Sequence, residues 1–262
     1  MVYPVLKATS VSVLVEAPIT NHLLELLPAQ ERLAVLHHCE AVELEFGVVL
    51  CEHRQEYRYL YFPMSGFISL VTKLSYHKPL EMGVIGNEGM LGVTMVLGVP
   101  NVPMQAVVQG KGTAWRIDIV ALNQLLPKCP QLRKVLQQYL YILMAQLSQS
   151  AACAHFHELE QRLARWLLMS QDRAHSNEFY LTHQFLADML GVRRSGVTVA
   201  AGLMQQNNLI QYSRGKISII NRSLLEKASC ECYRSGIHEY QQLLGSPTRD
   251  SEQRLLTEQG TP

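Results

Sequence analysis

The chain has 262 residues, of which 48% are hydrophobic and 17% are charged. This composition excludes a disordered polyelectrolyte and fits two ordinary packed domains or one large domain. The formal net charge is +1, so the molecule as a whole has no strong attraction for a polyanion. A nucleic-acid partner would therefore have to bind to a local basic surface.

No apolar run approaches the roughly 18 residues of a membrane span, and the first residues lack a basic-then-apolar leader pattern. We therefore expect a cytoplasmic protein with no membrane partner. In that compartment the six cysteines should be reduced thiols. They are scattered along the chain at Cys39, Cys51, Cys129, Cys153, Cys230 and Cys232.

Two short motifs contain residue types that bind metals. One is Cys230-Glu231-Cys232, and the other is "CAHFHE", with Cys153, His155, His157 and Glu158. Neither motif has a second cluster at the spacing of a zinc site. The sequence therefore predicts no metal site, and it identifies no cofactor.

The first half of the chain is predicted to be mainly β-structure. A helical piece at 21–38, whose second part starts at Pro28, precedes the strands. The segment "YRYLYFPMSGFISLVT" has β-branched and aromatic residues on both sides of a turn from Pro63 to Gly66. Further strands are predicted at "PLEMGVI", "MQAVVQG" and "GTAWRIDI". Short strands without intervening helices indicate an antiparallel sandwich or barrel.

From Pro130 the apolar period becomes helical and continues to about Ala152. The apolar stripe consists of Leu132, Leu136, Tyr139, Leu143 and Leu147. A helix this long, roughly 30 Å, must bury the stripe either on its own domain or on the same helix of a second subunit. Both arrangements remain open at this point.

The remaining segments predict a helix at 156–172, a short strand ending at Leu181, and two short helices starting at Thr182 and Arg193. A hairpin with its tip at Arg214-Gly215 follows, then a last helix at about Ser223–Arg234 and a polar tail. Two short helices joined at a glycine are typical of the helix-turn-helix that binds DNA.

The packing residues of a helix-turn-helix are present at the expected positions. Ala187 supplies a small residue where the helices cross, and Gly191 tolerates the left-handed turn. Val192, Val197 and Ala200 are spaced to face inward. The residues between them lie near the N-terminal end of the second helix, which is the end that enters the major groove.

The charges are distributed in agreement with a DNA-binding surface. Residues 193–222 contain five basic and no acidic residues, whereas residues 1–127 have eight basic against eleven acidic residues. Arginine can donate two hydrogen bonds to guanine, and hydroxyls or helix N-termini can bind phosphates. The candidate DNA-binding residues are Thr182, His183, Arg193, Arg194, Ser195, Thr198, Arg214 and Lys216.

Over residues 20 to 235 the chain resembles the CRP/FNR family of bacterial transcription regulators. The resemblance lies in "YFPMSGFISLV", "GNEGMLGV" with the later "VLG", the long central helix, and "LTHQFLADMLGVRRSGVT…GLMQQNNLIQYSRGKISI". It implies an α+β fold with a jelly-roll sensor domain similar to cyclic-nucleotide-binding domains. The expected parts are the sensor at 20–127, a dimerisation helix at 128–153, a winged helix-turn-helix at 154–234, and a polar tail at 235–262.

The sensor region departs from family members that bind cyclic AMP. Their Gly-Glu pair is only loosely matched by 86–89, and no arginine between Lys78 and Lys111 could neutralise the cyclic phosphate. We therefore expect no cyclic AMP binding by the family route. The cysteine cluster of the iron–sulfur members is absent from the N-terminal region, and haem ligation by a lone histidine such as His53 or His77 stays open.

The second helix also departs from the family's commonest Arg-Glu…Arg pattern. Arg194 occupies the first of these positions, whereas Ser195 and Val199 occupy the others. The resemblance thus implies a guanine contact but a different target sequence, read also through Arg193, Ser195 and Thr198 or through DNA shape.

The favoured hypothesis is a homodimeric regulator that reads a two-fold symmetric operator with Arg193 and Arg194. A hinge around 150–158 would link the sensor to the DNA-binding domain, with RNA polymerase as a further partner and the effector unknown. The alternative is a ligand-binding or protein-interaction module that has kept the fold without reading DNA. An enzyme is not expected, because no nucleophile elbow, phosphate loop or paired metal motif is found.

Overall fold

The computed structural model describes residues 21–246 except residue 77. The chain enters through two short helices, α1 (His22–Glu25) and α2 (Ala29–His37), with Pro28 as the N-cap of α2. This arrangement confirms the helical piece predicted at 21–38, in two parts separated by Pro28.

Seven antiparallel strands then form a sandwich of two sheets, with strand orders β1-β7-β3 and β2-β6-β4-β5. The strands are β1 (Cys39–Leu44), β2 (Val49–Cys51), β3 (Tyr59–Pro63), β4 (Phe67–Thr72), β5 (Leu80–Ile85), β6 (Gln105–Gly110) and β7 (Gly112–Asp118). The strands predicted from "YRYLYF" onward are confirmed. Strands β1 and β2 were not predicted, because the exposed Glu40 and Glu43 interrupt the apolar pattern of β1 and β2 is only three residues long.

The turn between β3 and β4 requires glycine. Gly66 has a φ of 71°, and a Cβ built on it would lie 2.3 Å from the carbonyl oxygen of Gly110. Only a residue without a side chain lets the two sheets close at this point. A 3-10 turn (Val93–Leu97) and α3 (Ile119–Leu125) complete the N-terminal domain.

The long helix α4 (Pro130–Phe156) starts with proline at its first residue, as predicted, and continues four residues beyond Ala152. Its stripe residues Leu132, Leu136 and Tyr139 are at most 2% exposed and belong to the core of the sandwich. Of the two arrangements left open above, the stripe therefore packs on its own domain. Neither α4 nor any other described helix is long and apolar enough to cross a membrane.

The C-terminal half has a separate hydrophobic core, which includes Leu167, Leu186, Val197 and Ile217. A three-stranded sheet with the order β8-β10-β9 packs against its helices. The elements are α5 (Leu159–Ala174), β8 (Glu178–Tyr180), α6 (His183–Leu190), α7 (Arg194–Gln206), β9 (Ile210–Ser213), β10 (Lys216–Ile219), α8 (Arg222–Ala228) and α9 (Cys232–Leu244).

The end of the chain differs from the prediction. The single last helix expected at about Ser223–Arg234 is two helices, α8 and α9, and residues 235–244 of the expected polar tail are helical. The apolar spacing of Ile237, Tyr240 and Leu244 was the signal for this helix, and Tyr240 and Leu244 are buried. Residues 247–262 lie outside the described part of the chain.

The two halves contact each other through polar groups that are buried or partly buried. Arg173 of α5 forms an ion pair with Glu88, with 2.7 Å between Nη2 and Oε1. The indole N–H of Trp166 donates to Glu81 of β5 at 2.8 Å. The hydroxyl of Tyr240 donates to the carbonyl oxygen of Glu88 and therefore accepts from Nδ1 of His22.

Glu81 makes the stability of this contact depend on pH. Burial raises the pKa of Glu81 to about 7, so the native state binds more protons than the unfolded state between about pH 4.5 and pH 7. The free energy of unfolding should therefore fall as the pH rises through this range. Between pH 5 and pH 8, we expect the free energy of unfolding of the wild-type protein to fall by about 1–3 kcal/mol relative to that of E81Q, measured by urea unfolding. The exposed Glu43→Gln variant is the control, and parallel pH profiles of wild type and E81Q would contradict the assignment.

Candidate nucleic-acid interface

The turn between α6 and α7 has the geometry of a helix-turn-helix. Thr182 caps α6, since its Oγ1 accepts from the N–H of Phe185 at 3.1 Å. Gly191 ends α6 with a φ of 66°, and the N–H of Val192 then donates to the carbonyl oxygen of Ala187 at 2.9 Å. Ala187 is fully buried where the helices meet. The structure confirms the helix start predicted at Thr182, the left-handed turn at Gly191 and the small residue Ala187 at the crossing.

Helix α7 buries one face and exposes its first turn. Val197 and Ala200 face inward as predicted, together with Ala201 and Met204. Arg193, which precedes the helix, and Arg194, its first residue, are exposed, and so are Ser195 and Thr198. Among the residues that the structure describes, Arg193 and Arg194 form no ion pair. Their guanidinium groups can therefore bind an external acceptor.

His183 connects the two helices to the hairpin. The hydroxyl of Thr198 donates to the carbonyl oxygen of Arg194 at 3.1 Å, so Nδ1 of His183 donates to Thr198 Oγ1 at 2.9 Å. The His183 ring stacks on Tyr212 of β9, with 4.2 Å between ring centroids. Burial and the nearby Arg194 charge lower the pKa of His183.

His183 and Thr198 therefore position the first turn of α7. The sequence did not indicate this positioning role, and the DNA contacts expected of the two residues stay a prediction. Tyr212 was missed, and its only sequence signal is an aromatic residue in a hairpin strand next to a basic tip.

The hairpin tip lies beside the start of α6. Arg214 and Gly215 both have positive φ, 50° and 82°, in a two-residue turn. The N–H of Leu181 donates to the carbonyl oxygen of Gly215 at 2.7 Å, which brings the tip next to Thr182. Arg214 is exposed, and the described residues contain no acidic partner for it.

Two of the five basic residues in the acid-free segment have acidic partners from other segments. Lys216 pairs with Glu178 of β8 at 2.7 Å. Arg222 pairs with Asp172 and Glu226 at 2.8 Å and 2.9 Å. The segment therefore presents three unpaired cations among the described residues, fewer than its composition indicates.

The sensor loop that the resemblance relates to ribose binding is covered by the chain itself. A Cβ on Gly86 would lie 2.5 Å from Cγ of Arg173, and one on Gly89 would lie 2.0 Å from the hydroxyl of Tyr139. The carboxylate of Glu88 is bound by Arg173. Of the histidines considered for haem, His53 is exposed, and His77 lies outside the described residues.

The β-sandwich, the long helix and the winged helix-turn-helix together define a two-domain architecture. Residues 161–228 match the family of Crp-like helix-turn-helix domains. A comparison with curated proteins gave no match. Several solved structures, by contrast, share the fold over most of the chain.

FixK2 from Bradyrhizobium japonicum is 14% identical, with a TM-score of 0.62 over 73% of this chain and 98% of that protein. A CRP/FNR-family regulator from Thermus thermophilus is 20% identical, with a TM-score of 0.59 over 72% and 98%. The c-di-GMP-responsive regulator CLP from Xanthomonas campestris is 15% identical, with a TM-score of 0.61 over 74% and 100%. The resemblance is thus confirmed: residues 161–228 form a Crp-like helix-turn-helix domain, and the described chain has the fold of CRP/FNR transcriptional regulators.

The Thr182 cap should contribute measurably to the stability of the C-terminal half. Thr182→Ala leaves the N–H of Phe185 without its acceptor, so we expect the free energy of unfolding without DNA to fall by about 1 kcal/mol. Thr182→Ser keeps the hydroxyl and should retain most of this stability. Equal urea midpoints for the alanine and serine variants would show that the hydroxyl does not act as a cap.

Proposed function

We propose that the chain is a cytoplasmic transcription regulator of the CRP/FNR type that binds a two-fold symmetric operator as a homodimer. The observation that carries the proposal is the exposed pair Arg193 and Arg194 at the N-terminal end of α7. In helix-turn-helix proteins this end of the second helix enters the major groove. The proposal assigns sensing to residues 20–127, dimerisation to 128–153 and DNA binding to 154–234.

Direct base reading is assigned to Arg193, Arg194 and Ser195. Arg194 occupies the family position of a guanine contact, where a bidentate arginine is worth about 1–3 kcal/mol of discrimination. Arg214 at the hairpin tip and the start of α6 at Thr182 bind phosphates, because the hairpin tip lies beside that helix start. Lys216 adds a weaker phosphate contact, since Glu178 already neutralises part of its charge.

Homodimer formation is supported by a second, exposed face of α4. Tyr141 and Met144 are 57% and 59% exposed, although the opposite face of the same helix is in the core. Ser148 and Ala151 continue this face at the spacing of a coiled-coil seam, and both are small. The same helix of a second subunit would cover these side chains.

Cyclic AMP is not proposed as the effector. The loop at 86–89 is covered by Arg173 and Tyr139, and an anionic ligand there would have to displace the buried Glu88–Arg173 pair. The effector, if the protein has one, is outside the proposal.

The first experiment is the selection of genomic DNA fragments by the purified full chain, followed by binding titrations at two salt concentrations. We expect a two-fold symmetric motif and an affinity that falls with salt. Arg194→Ala should weaken binding to the motif by about 10–100-fold and relax preference at one base pair per half-site. Arg214→Ala should weaken binding equally on all sequences and reduce the salt slope by about 1 per subunit.

The exposed Arg133→Ala on α4 is the matched control and should bind like wild type. If no fragment is bound in a salt-dependent way, the regulator proposal is wrong. The module that has kept the fold without reading DNA would then be the better interpretation.

The proposed dimer interface is tested by substituting two equally exposed apolar residues, one inside the interface and one outside it. Met144→Lys places a charge in the proposed seam, so we expect sedimentation to show at least a roughly tenfold weaker dimer. Val120→Lys, at the same 59% exposure on α3, should leave the dimer unchanged. A monomeric wild-type protein, or equal effects of the two variants, would contradict the assignment of this face.

A further inference from the structure

Four residues with metal-binding side chains meet where the end of α4 contacts the turn between α8 and α9. Cys153 lies in the last turn of α4, His157 is the C-cap of that helix, and Cys230 and Cys232 flank Glu231 in the turn. Their three sulfur atoms and one imidazole nitrogen all lie within 4.8 Å of one another. These four residues form the Cys3His cluster.

In the sequence the two halves of this cluster are separate motifs, and no metal site was predicted from them. The reason was that neither motif has a second cluster at zinc-site spacing. The fold removes that reason, because it brings Cys153 and Cys230 together although they are 77 positions apart. The spacing within each half is short and the two halves are distant, as in many zinc sites built from two chain segments.

Two of the distances between ligand atoms match those around a single tetrahedral ion. The sulfur atoms of Cys153 and Cys230 are 3.6 Å apart, and the sulfur of Cys232 is 3.5 Å from Nδ1 of His157. Bond lengths of about 2.3 Å for Zn–S and 2.0–2.1 Å for Zn–N place tetrahedral ligands roughly 3.4–3.8 Å apart. A disulfide needs about 2.05 Å, and an iron–sulfur cluster is larger than one ion and needs ligands farther apart.

The surroundings of the cluster orient its ligands. Nε2 of His157 lies 3.1 Å from Oε1 of Glu231, so the carboxylate holds the ring with Nδ1 towards the sulfurs. Metal-binding histidines typically have such a carboxylate on their other nitrogen. The amide of Gln149 donates to the sulfur of Cys232 at 2.9 Å, which stabilises a thiolate.

Burial and charge also favour a metal over incidental cysteines. The three cysteines are at most 3% exposed and form a small cluster of their own, apart from both hydrophobic cores. The guanidinium of Arg165 lies close enough to Cys153 to interact with it electrostatically. A cation beside the cluster offsets the net negative charge that three thiolates leave on a divalent ion.

We propose that the Cys3His cluster binds one Zn²⁺ ion, which ties the end of α4 to the turn between α8 and α9. Sulfur-rich tetrahedral sites select zinc among the common divalent ions. The site has four protein ligands and no open position, so its role is structural. Because α9 reaches the sensor domain through Tyr240, the ion stabilises the contact between the two halves.

Metal analysis of the full chain, purified under reducing conditions, tests the proposal independently of DNA binding. We expect about one zinc per chain. After removal of the zinc, added Co²⁺ should give sulfur-to-cobalt charge transfer and the strong visible bands of tetrahedral coordination. Chelation should lower the Tm by roughly 5 °C, and Zn²⁺ should restore it.

Variants locate the ion at the cluster. Cys230→Ser should lose the zinc, and Cys39→Ser, outside the cluster, should keep it. Glu231→Gln leaves all four ligands in place and should weaken zinc binding by about 10–100-fold. This milder variant keeps the test valid even if Cys230→Ser does not fold.

Three results would overturn the proposal. The first is reduced, folded protein that binds neither zinc nor Co²⁺ near stoichiometry. The second is zinc content that Cys230→Ser and Glu231→Gln leave unchanged, which places the ion elsewhere. The third is a Cys153–Cys230 disulfide, found by mass spectrometry, in protein that takes up no metal after reduction. This result would assign the two cysteines to redox chemistry.

Discussion

The partly buried ion pair between Glu88 and Arg173 connects the two halves of the molecule. Both side chains are less than 20% exposed, and separating them would leave one or both charges without a partner in a poorly solvated place. The pair belongs to the sensor loop at one end and to α5 of the DNA-binding half at the other. The same contact therefore closes the loop at 86–89 and fixes the position of α5.

A movement of the DNA-binding half must break several contacts together. Trp166 of α5 also donates to Glu81, and Tyr240, which is bonded to His22, donates to the carbonyl oxygen of Glu88 itself. The backbone between α4 and α5 leaves the helical conformation only at His157 and Glu158, within the hinge expected at 150–158. A zinc ion bound through His157 would restrict this joint, so the metal site and the interdomain contacts would favour the same arrangement.

The sequence predicted the features that depend on neighbouring residues. The Thr182 cap, the left-handed Gly191 and the Arg214-Gly215 turn each need only a few adjacent positions. Contacts between segments that are far apart in the chain could not be predicted from neighbouring residues. Glu178 neutralises Lys216 across two strands, and the cysteine cluster forms only when α4 and the turn after α8 meet. Helix α9 was missed although its apolar spacing was present, because the surrounding residues are polar.

The charge of the proposed DNA surface is therefore a property of the fold more than of the segment 193–222. Folding pairs Lys216 and Arg222 with acids and leaves Arg193, Arg194 and Arg214 at the two points where DNA would be contacted. Glu158 and Glu160 line a groove beside Ser195, so a polyanion is repelled from that side of α7. Unpaired cations on one side and carboxylates on the other restrict the orientation in which DNA can approach. Such a restriction favours a single docking geometry over general attraction, as the proposed reading of an operator by a nearly neutral protein requires.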